Sequence, residues 1–173
     1  MRMIINQICN VIVNKISLFI LLSISIMSCS MPFALKDHNS LTLVNVATGT
    51  EIFSYDFGNI SRSSSNRPTL RVSAEYSGER TKLKVHVRSR DNTYIDMKKG
   101  FYPFTLSYKG RTMSGRGMGP YLDLGYITGG NKLFTITPLI TNQTSNGINN
   151  YIIRVSGKND IQREIYITFN VTA

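Results

Sequence analysis

Lys82, Lys84, His86, Arg88 and Arg90 alternate with Leu83, Val85, Val87 and Ser89. In an extended strand successive side chains point to opposite faces, so these five share one face at intervals of roughly 6.5–7 Å. A row of that kind repels itself and needs an offset. Solvent and salt can supply it, as can the acid Glu75 on a neighbouring strand or an external polyanion. Surface charge is by default solvated. The functional reading of the row is a contact for acidic glycan, lipopolysaccharide phosphate or an acidic protein partner.

The remaining chemistry is sparse. His38 lies in the polar stretch Lys36-Asp37-His38-Asn39-Ser40 and His86 lies mid-strand between cations, so neither joins a metal-like cluster. The ten acids are scattered, and no spacing pairs a carboxylate with an imidazole for acid–base work. Gly115-Arg116-Gly117-Met118-Gly119 has the glycine density of a phosphate loop. A phosphate loop feeds a helix whose N-terminal amides face the anion, whereas Pro120 and the strand-like Tyr121-Leu122-Asp123-Leu124 follow here. A flexible connection is the better reading, with Arg111 and Arg116 available to an anion. The chain is therefore read as non-enzymatic, with no catalytic residue, metal or cofactor.

The elements that carry these residues are strands. Leu70, Val72, Ala74 and Tyr76 alternate with polar neighbours, as do Leu83, Val85 and Val87, and Ile165, Ile167, Phe169 and Val171. Further strands are expected at 41–47, 51–57, 101–108, 121–128, 133–140 and 150–156. Between them, Ser77-Gly78-Glu79, Asp91-Asn92, Lys99-Gly100, Gly129-Gly130-Asn131 and Gly157-Lys158-Asn159-Asp160 read as turns. No apolar stripe of helical spacing follows residue 35. The pattern predicts an all-β fold, an antiparallel immunoglobulin-like β-sandwich of about eight strands, with a small barrel as the alternative.

The beginning of the chain speaks of export. Arg2 and Lys15 precede the apolar run Ile16–Met27, which at ~1.5 Å per helical residue is too short for a bilayer core of ~30 Å. A positive start, a short apolar segment and small residues after it describe a signal peptide. An uncleaved anchor that recruits Met3–Val13 is the rival. Ile26-Met27-Ser28-Cys29 resembles a bacterial lipobox, which makes Cys29 the lipid-attachment residue; ordinary cleavage after Ser28, Ser30 or Ala34 is the alternative. The expected organisation is a signal peptide at 1–28, a polar tether at 29–40 and a sandwich at 41–173. Cys9 and Cys29 are the two cysteines, so that sandwich has no thiol and no disulfide. With Arg2 and Lys15 set aside, eighteen basic residues face ten acidic ones. An excess of that size suits a polyanion, and the exported address disfavours nucleic acid.

A cysteine-free exported sandwich with a strongly alternating last strand, Ile161–Val171, resembles the subunits of chaperone–usher fimbriae. An alternating segment after the tether, Thr42-Val44-Val46, adds to the likeness as a possible donor-strand face. The resemblance implies strand addition between neighbouring subunits, protein partners in a surface or secretion assembly, and a place on the cell surface. A lipidated Cys29 departs from that pattern. It favours the second reading, an outer-membrane lipoprotein that assists assembly of a secretion or pilus system.

Overall fold

The computed structural model describes residues 39–89, 103–113 and 121–173. Their regular elements are all strands: β1 (Ser40–Asn45), β2 (Thr50–Glu51), β3 (Ser54–Ser61), β4 (Leu70–Ser89), β5 (Phe104–Tyr108), β6 (Arg111–Met113), β7 (Leu122–Pro138), β8 (Gly147–Ser156) and β9 (Gln162–Thr172). Period-two patterning explains which face each buries. On β9, Ile165, Ile167, Phe169 and Val171 are buried and the residues between them are not. The strand thus has the faces its sequence predicts.

The strands form an immunoglobulin-like sandwich whose two layers share β4 and β7. The first part of β4, residues 72–77, pairs with β1 on one edge and with β7 on the other. Its last part, residues 84–89, pairs on the β1 side with β8 instead. β5 and β6 continue the first layer beyond β7; β9 and β3 continue the second beyond β8. Between the layers, the Phe104 ring of β5 meets the Phe169 ring of β9 edge-on at 5.8 Å, and Tyr151 of β8 stacks on Phe169 at 5.8 Å. β5 and β9 are not hydrogen-bonded neighbours, so this contact spans the core.

Two expected turns are absent. Ser77-Gly78-Glu79 and Gly129-Gly130-Asn131 lie inside the continuous strands β4 and β7, opposite one another, with Ser77 paired to Gly129 and Tyr76 to Gly130. The register shifts between Ser77 and Thr81, which marks a bulge. Gly78 has φ 138° and Gly130 φ 93°. Positive φ serves a bulge as well as a turn, and a bulge bends a strand without ending it. Both strands therefore bend together and pass from one layer to the other. The bend has its own latch. Asn39 Oδ1 accepts hydrogen bonds from the Glu79 N–H at 2.7 Å and the Tyr76 hydroxyl at 3.1 Å. A Cβ on Gly78 would lie 2.0 Å from Asn39 Oδ1, so only glycine fits.

Three other features refine the expectation. The sandwich is not wholly antiparallel: β3 runs parallel to β9, Ser54 opposite Tyr166 and Asn59 opposite Asn170, so β9 is flanked by β8 and β3. The chain reaches that edge from the β1–β2 hairpin on the other layer, which leaves β3 heading the same way as β9. Lys109 and Gly110, with φ 47° and 75°, form a tight turn into the short strand β6. The turn at Gly157–Asp160 closes the β8–β9 hairpin as predicted, with Asn159 and Asp160 both at φ 58°. Asp91-Asn92 and Lys99-Gly100 fall outside the described residues.

Candidate functional site

The basic row lies where period two puts it, on the face of β4 turned away from the core. Leu83 and Val85 are fully buried and Val87 nearly so, while Lys82, Lys84 and His86 lie half-buried on the other side. The row is not a bare solvated face. Its neighbour is β7, which brings Tyr126 opposite Lys82 and Asp123 opposite Lys84. Lys82 Nζ lies 2.6 Å from Asp123 Oδ2. Lys84 Nζ sits 4.3 Å from the centre of the Tyr121 ring, and the Arg80 guanidinium 4.3 Å from that of Tyr126. Lys82 also approaches Tyr126, at 6.0 Å, and the His86 ring lies 5.5 Å from Tyr121. Cations over ring faces are attracted by the ring quadrupole, so alternating cations and tyrosines relieve a repulsion that the row alone could not.

Asp123 is the pivot of this face. Its Oδ1 accepts the Gly125 N–H at 2.8 Å, a bond made where Gly125 takes φ 77° and the β4–β7 register shifts. Burial pushes its carboxyl pKa up. The hydrogen bonds from Lys82 and Gly125 and the charges of Lys82 and Arg111 outweigh that and hold it below the usual aspartate range. The same bond to Asp123 raises Lys82 above the usual lysine value.

Farther along, the row changes character. Arg88 is only 8% exposed and pairs across with Ile152, itself 5% exposed although it points away from the core. His86 stands opposite Arg154, which forms an ion pair with Glu164 of β9. Within the row, Lys82 and Lys84 thus lie half-buried on the outward face, whereas Arg88 is buried. Arg90 and Cys29 lie outside the described residues. Glu75 does not offset the row. It belongs to the other half of β4, between its cross-strand partners Thr42 of β1 and Asn131 of β7, and the three line one open groove of about 420 Å³. Arg80, Tyr121, Asp123 and Tyr126 do not stand out in the sequence, because the expected turn at residues 129–131 hides the pairing of β4 with β7. Among the described residues, no three His, Cys, Asp or Glu side chains are grouped so as to hold a metal ion.

The segment Thr42-Val44-Val46 is one residue out of register with expectation. Leu41 and Leu43 are the buried side chains of β1, each 1% exposed, while Thr42 and Val44 point outward and Val46 follows the strand. Every residue from Leu41 to Val44 is compatible with strand, and three of the four are apolar, so alternation alone leaves the face ambiguous.

No protein-family model matches the chain, and no curated protein does. Solved structures similar to it include the periplasmic chaperone SfaE, at 8% identity and a TM-score of 0.47, covering 78% of this chain and 58% of that one. AggA, the major subunit of aggregative adherence fimbriae type I from Escherichia coli, is 11% identical with a TM-score of 0.42, covering 80% of this chain and 98% of its own. A family 123 glycoside hydrolase from Clostridium perfringens is 8% identical with a TM-score of 0.46, covering 78% of this chain and 27% of the hydrolase. This chain spans little more than half of the chaperone's length. At these identities and scores the likeness carries no function across.

Proposed function

We propose that this chain is a non-catalytic exported surface protein, of the fimbrial or adhesin structural type, that works through strand and face contacts with protein partners. The observation that carries the reading is β1. It is a six-residue strand paired along its length with β4 and only at Val44 and Asn45 with β2, and it plugs the core with Leu41 and Leu43. Burial of the two leucines contributes about 3–6 kcal/mol and the ladder to β4 adds to it, so exchange of β1 between copies would be slow. The donor face in this reading is Leu41 and Leu43 rather than Thr42, Val44 and Val46. The last strand is already flanked on both edges, so exchange would replace β1 and leave β9 in place.

Thr42 and Glu75 stand opposite one another on the outward face of β1 and β4. One exported population carrying Thr42→Cys and another carrying Glu75→Cys, mixed under mild oxidation, should form a mixed disulfide between copies. Disulfide confined to the double variant within one chain would refute exchange. The second reading, an outer-membrane lipoprotein that assists assembly, rests on Ile26-Met27-Ser28-Cys29; a diacyl adduct on Cys29 in the mature protein would favour it.

A further inference from the structure

We infer that the cation–tyrosine face of β4 and β7 binds a linear acidic polysaccharide, and that Asp123 is a built-in competitor that occupies the site in place of the ligand's anionic groups. The face is a line rather than a pocket. Arg80, Lys82 and Lys84 extend along one strand, and Tyr126, 52% exposed, stands between Arg80 and Lys82. Cations about 7 Å apart along a strand match repeated anionic groups on a chain better than one isolated headgroup. A ring among them offers an apolar surface to a sugar face.

Asp123 behaves like a ligand fragment. Its carboxylate bonds Lys82 at 2.6 Å, lies within the field of Arg111, and is held there by the Gly125 N–H. Removing its charge would free Lys82 for an external carboxylate or sulfate. The molecule contains its own control. Asp56 is the same residue in the same local device, its Oδ1 accepting the Gly58 N–H at 2.8 Å with Gly58 at φ 70°. It lies on β3, three strands away from β4 in the same layer, or ~14 Å at the usual strand spacing. Screening shortens to ~8 Å at 0.15 M salt, so Asp56 should not be felt at the site.

The test measures binding of a heparin-derived oligosaccharide to the exported protein at 0.15 M salt. Asp123→Asn should tighten binding roughly 1.5- to fivefold, the size expected for releasing one surface ion pair. Asp56→Asn, with the same change in net charge, should leave it unchanged, and Lys84→Gln should weaken it. Asp123→Ser retains an acceptor for the Gly125 N–H and should act as Asp123→Asn does if the asparagine variant folds poorly. Equal binding by the Asp123 and Asp56 variants would overturn the inference, because only net charge would then matter. So would tighter binding by Asp123→Asn to phosphatidylglycerol vesicles alone, which would make lipid phosphate the ligand. The β1 exchange reading is independent of this one: β1 pairs with the other half of β4, so either experiment can fail without the other.

Discussion

Replacing Gly78 by alanine tests the bend on which the whole sandwich turns. At φ 138° the backbone lies where side chains are strained, which costs about 1–3 kcal/mol. The added Cβ would meet Asn39 Oδ1 at 2.0 Å and the Asn39 backbone at 2.9 Å. The side chain can swing away, but only by giving up its bond to the Glu79 N–H, worth about 0.5–1.5 kcal/mol. The clash with the Asn39 backbone remains and pushes the start of β1 off the bulge. Together these amount to about 2–5 kcal/mol, a large share of the ~5–15 kcal/mol typical of a domain. Gly129 is the comparison. Its φ is not positive and an added Cβ finds nothing within 4 Å, so alanine there should be neutral or stabilise by ~0.4–1 kcal/mol through the unfolded chain. Urea denaturation followed by tyrosine fluorescence separates the two. With a slope of ~2 kcal/mol/M, Gly78→Ala should lower the midpoint by roughly 1–2.5 M, and Gly129→Ala should not lower it. A small effect at Gly78, or equal effects at both glycines, would mean that the bulge at Gly78 and its contact with Asn39 are not formed as described.

The β9 register gives a second outcome. Phe169 is fully buried against the Phe104 and Tyr151 rings, so Phe169→Ala should cost ~3–5 kcal/mol by the same denaturation assay. Thr168→Ala, which loses the bond from its hydroxyl to Asn150 Oδ1 at 2.9 Å, should cost only ~0.5–1.5 kcal/mol. For the leader, Cys29→Ala should abolish incorporation of labelled fatty acid and move the protein from the membrane to the soluble periplasmic fraction, if the lipobox reading holds. Unlabelled wild-type protein would refute that reading.

Much of the architecture is legible from one-dimensional pattern because β-strand patterning is local. The inward set Ile165, Ile167 and Phe169 and the outward set Lys82 and Lys84 follow from period two alone, and the residues themselves carry that information. The Gly157–Asp160 turn is legible for the same reason, since positive φ at Asn159 and Asp160 suits residues that tolerate it. What is not legible depends on partners far along the chain. Gly78 and Gly130 announce an irregular backbone, but whether it becomes a turn or a bulge is settled by the strand alongside, and each of these strands has the other as that neighbour. The outward face of β1 escapes the pattern because Leu41–Val44 offers apolar residues to both sides, and the core selects Leu41 and Leu43 only when β1 is laid on β4.

The candidate site divides in the same way. That a line of cations shares one face of a strand follows from residue order, since alternation needs no partner. What stands against that line follows from the folded chain. Asp123, Tyr121 and Tyr126 are some forty residues from Lys82 and Lys84, and they reach them because β4 and β7 stay paired through the bend. Packing between distant strands also buries Arg88 beside Ile152. Charge spacing belongs to the strand, but charge compensation belongs to the sheet, and long-range pairing is the one thing a local pattern cannot encode.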